Sequence, residues 1–69
     1  MKFYITLGQK HTHSINGKTF DKDTVALIEC SNIQIAEETA FNYFGAEFSR
    51  VLPEDKIDLS LYPKGIIKL

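Results

Sequence analysis

The sequence predicts a single α+β domain in which one helix packs on one face of a mainly antiparallel sheet. Two observations lead to this fold class. Apolar and polar side chains alternate with the period of two of a β-strand over much of the chain, and one central stretch changes to the period of a helix. A length of 69 residues leaves room for one domain, spanning 1–69. In chain order we predict β-β-α-β-(β)-β, with roughly three to five strands in the sheet.

Two strands are predicted before the helix. Residues 3–7 alternate apolar and polar side chains, which is typical of a strand with one buried face, and Gly8 ends the pattern. Residues 24–31 are apolar on both faces as far as Glu29, which predicts a strand in the interior of the sheet. On this strand Ala26, Ile28 and Cys30 share one side, which we expect to be buried, and Val25 and Leu27 share the other.

The helix is predicted to begin after Ser31. Gln34 follows Ser31 by three positions, the spacing of a capping box in which each side chain satisfies a free backbone amide. Gly45 suits the position after the last turn, where a left-handed backbone closes many helices. Each helix residue is rotated by about 100° from the one before it, and this places several apolar residues in a stripe on one side of the helix. Its members are Ile33, Ala36, Ala40, Phe41, Tyr43 and Phe44.

The chain after the helix predicts further strands separated by turns. Residues 47–53 read as a strand, residues 57–62 alternate as a further strand would, and residues 66–69 form a short last strand. One helix covers only one face of such a sheet. The second face, with Val25 and Leu27, is either an exposed apolar patch suited to a partner or a homodimer, or is covered by segment 8–23 folding back.

Composition limits the partners. The chain has 43% hydrophobic and 25% charged residues, with eight basic against nine acidic side chains. The basic residues are scattered, so nucleic acid is an unlikely partner. No apolar run is long enough for a membrane span, and the first residues are too short and too patterned for a signal peptide. Cys30 is the single cysteine, which fits a reducing compartment, so we predict a cytoplasmic protein.

The segment from Gly8 to Asp23 holds both histidines and a strong turn signal. Asn16-Gly17 predicts a two-residue type I′ hairpin, because both central positions of that turn need a positive φ. In this register His11 faces Lys22, His13 faces Phe20 and Ile15 faces Lys18. We expect one side of the ribbon to be the partner-binding surface, formed by His11, His13, Ile15, Lys18 and Phe20.

Catalytic and metal sites are not favoured. His11 and His13 are a workable metal pair, but their neighbours on the ribbon supply no further ligand. The His-x-His stretch also resembles half of the paired signature of two-histidine phosphoesterases, whose second half is missing here. We expect Cys30 to be a small core residue rather than a nucleophile. Phe20 and Tyr62 have no assigned core role: they are either interface anchors or residues that close the ends of the small sheet. We predict no enzyme activity, no catalytic residue and no cofactor.

Three stretches carry a resemblance to a family: Gly-Gln-x-His-x-His at 8–13, Asn-Gly-Lys-x-Phe-Asp at 16–21, and Phe-Gly at 44–45. Together they resemble a family of small uncharacterised proteins encoded by phages and prophages. The resemblance implies a non-enzymatic protein of the host cytoplasm that inhibits or modulates a host or bacterial-defence protein, as anti-CRISPR proteins do. The alternative is a protein that binds a small ligand, either a metal or a nucleotide signal, through the segment around His11, His13 and Lys18.

Overall fold

The computed structural model describes residues 1–10 and 12–69. It confirms the predicted α+β class, with one α-helix packed on a four-stranded sheet and a separate two-stranded hairpin in the described residues. The strands are β1 Lys2–Thr6, β2 His13–Ile15, β3 Lys18–Phe20, β4 Thr24–Glu29, β5 Arg50–Pro53 and β6 Gly65–Lys68; the helices are α1 Ile33–Phe44 and a short 3-10 helix at Leu59–Leu61.

The four-stranded sheet has the order β5-β1-β4-β6, so β4 lies in the interior as predicted. β1 is antiparallel to both β4 and β5, whereas β6 is parallel to β4. Ile5 lies opposite Ala26 on one side and Val51 on the other, and these side chains point towards α1. The fully buried or nearly buried members of the main core are Ile5, Leu7, Phe20, Ala26, Ile28, Ala40 and Phe44.

The first turn of α1 is capped by Asn32, so the predicted capping box at Ser31 is wrong. The side-chain oxygen of Asn32 accepts a hydrogen bond from the backbone N–H of Ile35 at 2.9 Å. Serine and asparagine are about equally good caps. Asn32 has the extended backbone that this position needs, with a φ of −157° and a ψ of 169°. Gly45 closes the helix as predicted, with a φ of 63° and its N–H donating to Phe41.

The buried stripe of α1 is narrower than predicted. Ala36, Ala40 and Phe44 are buried, at a spacing of four residues along one line of the helix. The other predicted members, Ile33, Phe41 and Tyr43, are exposed. The two alanines have the smallest side chains of the stripe, which allows a close approach of the helix to β1 and β5 and leaves the flanking side chains outside.

The second face of the sheet is partly covered, and the segment that crosses it follows the helix in the chain. β5 and β6 run in the same direction at opposite edges, and the connection 54–64 must therefore cross the sheet. Within it, Leu61 and Tyr62 line a cavity together with Thr6 and Arg50, which places the connection on the face opposite α1. Segment 8–23 also borders this cavity, through Gly8, Gln9 and Lys22. Val25 is fully buried there. Leu61 and Ile66 are exposed on this side, so the homodimer through this face stays a prediction.

The strand predicted over 57–62 is wrong, because the 3-10 helix Leu59–Leu61 takes its place. Asp58 caps this helix, accepting a hydrogen bond from the backbone N–H of Ser60 at 3.0 Å. Such local side-chain bonds compete with the pairing that a strand requires. The strand predicted over 66–69 is confirmed as β6, shifted by one residue.

Candidate functional site

The predicted hairpin is confirmed in the described residues. Asn16 and Gly17 have φ values of 52° and 78°, as the tight turn requires. His13 lies opposite Phe20 and Ile15 lies opposite Lys18, in the predicted register. His11, which we expected opposite Lys22, lies outside the described residues.

One side of this ribbon turns inward against the end of α1. Phe20 is fully buried, and its ring meets that of Phe44 edge-on with the centroids 5.4 Å apart. The His13 ring meets Phe44 in the same way, also at 5.4 Å, and Ile15 packs against the core. The expectation that Phe20 is available to a partner is therefore wrong, because the side chain fills the space beside the helix. Lys18 is exposed.

His13 is held by a carboxylate. Its Nε2 donates to Oε2 of Glu47, just beyond α1, at 2.8 Å, and its side chain is 26% exposed. Together with the contact to Phe44, this bond ties β2 to the end of the helix. In the part of the chain that the structure describes, no three side chains of the His, Cys, Asp or Glu type are grouped to hold a metal ion.

Cys30 lies just past the end of β4 and is half-buried rather than fully enclosed. Its thiol donates to the carbonyl oxygen of Asn32 at 3.2 Å, and its side chain packs against the core. The residue therefore helps to position the entry of α1, which agrees with a packing role. Tyr62 is half-buried in the connection that covers the second face.

The outer side of α1 exposes large apolar side chains, at a place where no site was predicted from the sequence. Phe41 is 60% exposed, and Ile35 and Tyr43 are exposed as well. Phe41 lines a shallow depression of about 480 Å³ with Glu37, Glu38 and Asn42. We call these four residues the Phe41 surface. The signal for it was present in the sequence, because the predicted stripe holds more large side chains than one narrow line of contact can bury.

Negative charge on the Phe41 surface is not balanced by the helix. α1 contains no lysine or arginine. The close contacts between basic and acidic side chains among residues 1–10 and 12–69 do not include Glu37 or Glu38. They join His13 to Glu47, Lys22 to Asp23, Lys64 to Asp21 and Lys68 to Glu29. The outer side of α1 therefore combines an exposed aromatic ring with two exposed carboxylates.

The carboxylate of Asp21 has a different, structural role. Lys64 Nζ lies 2.8 Å from Asp21 Oδ2, and the backbone N–H of Asp23 donates to Asp21 Oδ1. The hydrogen bond from Lys64, followed by that from Asp23, lowers the pKa of Asp21, and the same contact raises the pKa of Lys64. This pair joins the end of the hairpin to the start of β6.

Comparison with known proteins returned no relative: no protein-family model, curated protein or solved structure matches the chain. Among the described helices, none has the length and apolar character needed to cross a membrane.

Proposed function

We propose that this protein is a non-enzymatic binding protein that inhibits or modulates a larger protein, of the phage-encoded anti-defence type. The observation that carries the proposal is the exposure of large apolar side chains along α1, with Phe41 at 60%. Covering an exposed aromatic ring with a partner removes apolar surface from water and so favours binding. Aromatic residues are among the commonest hot spots of protein interfaces.

The size of the surface is compatible with this role. A specific interface buries about 800 Å² on each partner, and the total accessible surface here is 4457 Å². A partner would therefore cover about a fifth of the molecule. Phe41 lies in the last turn of α1, where a partner that covers the outer side of the helix would enclose its ring.

The state of the reactive side chains also favours binding over catalysis. His13 is engaged with Glu47, and the thiol of Cys30 is engaged with a backbone carbonyl at the start of α1. Each contact has a clear role in holding elements of the fold together. The resemblance of segments 8–13 and 16–21 to small phage proteins supports the finer proposal that the target belongs to a host or its defence system.

The proposal is tested by affinity capture with the full chain immobilised and lysates of candidate bacterial hosts. Three proteins are compared: the wild type, Phe41→Ala, and the matched control Leu61→Ala, whose side chain is 65% exposed on the other side of the sheet. We expect one protein to be retained by the wild type and by the control, and about tenfold less by Phe41→Ala, as for an interface centre worth ~1.4 kcal/mol.

Inhibition is then measured on the captured protein. Its activity should fall as the small protein is added, reaching a plateau near equal molar amounts, and Phe41→Ala should shift the curve to higher concentration. If no protein is specifically enriched from any host, or if the captured protein keeps its full activity when saturated, the proposed function is wrong.

A further inference from the structure

We propose that the Phe41 surface binds an arginine side chain presented by a basic surface of the partner protein. The inference rests on the proposed binding function and specifies the chemistry that the partner must supply. Three observations support it: the positions of Glu37, Glu38, Phe41 and Asn42 along α1, the exposure of Phe41, and the distribution of charge over the molecule.

The spacing brings the relevant groups together. Glu37 and Glu38 precede Phe41 by four and three positions, and side chains at these separations are neighbours on a helix surface. With Asn42 they line one depression of about 480 Å³, which is ample for a single side chain. An aromatic face, two carboxylates and an amide oxygen are therefore presented side by side.

This combination matches a guanidinium group better than other cations. A guanidinium is planar, so it can stack on the ring of Phe41 while its N–H groups donate in parallel to a carboxylate of Glu37 or Glu38. The Asn42 side-chain oxygen can accept a further N–H. A lysine ammonium is a compact point charge that binds one of these groups well but does not stack.

The charge distribution favours a basic protein and disfavours nucleic acid. Two carboxylates without a neighbouring cation on α1 repel phosphate and attract positive charge. The chain has one arginine, Arg50, which lines a cavity with Thr6, Leu61 and Tyr62 on the face away from α1. The competing occupant of the site is Arg50 of a second copy of this chain. Sedimentation distinguishes that copy from a basic partner protein.

The first experiment is a titration followed by nuclear magnetic resonance, with the ¹⁵N-labelled full chain and two probes: N-acetyl-arginine methylamide and its lysine counterpart. We expect shift changes centred on residues 37–42 that are larger for the arginine probe at equal concentration. Phe41→Ala should weaken arginine binding about two- to fivefold, which corresponds to the loss of one exposed cation–π contact.

The matched pair of charge variants is Glu37→Gln/Glu38→Gln and Glu54→Gln/Asp55→Asn. Both remove two adjacent exposed carboxylates, but only the first pair lies on the Phe41 surface. We expect the first variant to weaken arginine binding about threefold or more, as for exposed ion pairs, and the second to leave it unchanged. Equal shifts for both probes, or shifts centred on residues 54–55, would overturn the arginine site.

Two further measurements separate this inference from the proposed function. If a captured partner is retained equally by the wild type and Glu37→Gln/Glu38→Gln, the binding function stands and the arginine site is wrong. If no partner is captured, the binding function is wrong and the titration alone decides whether the surface recognises arginine. Sedimentation of the wild type and Arg50→Lys tests the competing occupant: a dimer lost in Arg50→Lys would assign the site to a second copy instead.

Discussion

The hairpin and the outer side of α1 each present a phenylalanine, and the two residues have opposite fates. Phe20 follows a polar segment with the composition of an exposed loop, yet it is fully buried. Phe41 belongs to the most regular amphipathic stretch of the chain, yet it is 60% exposed. The comparison shows that burial in a domain of this size depends on which space the neighbouring elements leave open.

That space is set by the small side chains of α1. Ala36 and Ala40 bring the helix close to β1 and β5, and Phe44 ends the line of contact. The hairpin packs beside the end of the helix, where β3 lies near β4 and Phe20 meets Phe44. Phe41 lies off this line of contact and remains 60% exposed.

The largest expected effect is that of Phe20→Ala, compared with Phe41→Ala as its matched partner. Removing a fully buried ring should lower the free energy of unfolding by about 3–5 kcal/mol, whereas the exposed ring should change it by less than about 0.5 kcal/mol. Urea unfolding followed by circular dichroism measures both. If Phe20→Ala does not fold, Phe20→Leu keeps the comparison measurable. Equal losses for the two alanine variants would contradict the assigned burial.

The close approach of α1 is tested by Ala40→Leu. Ala40 is fully buried against the sheet, so the added volume must displace the helix or its neighbours. Overpacking of this kind costs about 1–3 kcal/mol of unfolding free energy. Gln34→Leu, at an exposed position of the same helix, is the control and should be close to neutral. A stable Ala40→Leu protein would show that the helix does not lie as close as described.

A smaller loss is expected from Gly17→Ala, which tests the hairpin alone. Gly17 has a φ of 78°, and a Cβ atom added there meets nothing within 4 Å. The cost is therefore that of the left-handed backbone, about 1–2 kcal/mol for a residue with a side chain. Gly17→Asn should cost less, because asparagine adopts this conformation more readily. Thermal unfolding of both variants measures the difference, and equal stability of all three proteins would argue against the turn.

The smallest effect is expected from Asp21→Asn, and it depends on pH. The hydrogen bond from Lys64 holds the folded pKa of Asp21 below its ordinary value of 3.8, so the charged carboxylate stabilises the fold above that pH. The wild type should have a higher unfolding free energy than Asp21→Asn at neutral pH. This difference should shrink as pH falls through the pKa of Asp21 in the folded protein.

The stabilisation by the Asp21–Lys64 pair is also lost at alkaline pH. The bond to Asp21 raises the pKa of Lys64 above 10.5, so its contribution is complete below that pH and is lost as pH rises through the folded value. Chemical unfolding at a series of pH values measures both limits. Asp55→Asn, in the turn after β5, is the control and should not reproduce the acid dependence. If the wild type exceeds Asp21→Asn in unfolding free energy by the same amount at every pH, the charge of Asp21 is not what stabilises this contact.

Features that depend on near neighbours in the chain were predictable. The hairpin turn follows from Asn16-Gly17 because few residues accept two successive positive φ values, and the end of α1 at Gly45 follows for a similar reason. The cap was missed by one residue, since Ser31 and Asn32 are chemically equivalent in that role. The alternation over 57–62 led to a wrong strand prediction. Asp58 accepts a local hydrogen bond from the backbone of Ser60, which replaces the pairing that a strand needs.

The candidate site was not predictable in the same way. Four of the residues proposed from the sequence lie on the hairpin: His13, Ile15, Lys18 and Phe20. Phe20 is buried, and His13 contacts Glu47, which is distant in the chain. The sequence shows that the helix stripe is crowded with large side chains, but only the buried line of α1 shows that Phe41 is one of those left exposed. A helical period identifies which residues share a side, but it does not say how wide the contact on that side will be.

By itself, the sequence determined the α+β class, the interior strand β4, the helix and the hairpin turn, because each depends on periodicity or backbone conformation within a few residues. Only the tertiary structure decided that the connection 54–64 crosses the second sheet face, that Phe20 is core and that Phe41 is surface. These outcomes depend on the order of strands and on the volume left between packed elements. Both arise from contacts between residues far apart in the chain, which local patterns do not encode.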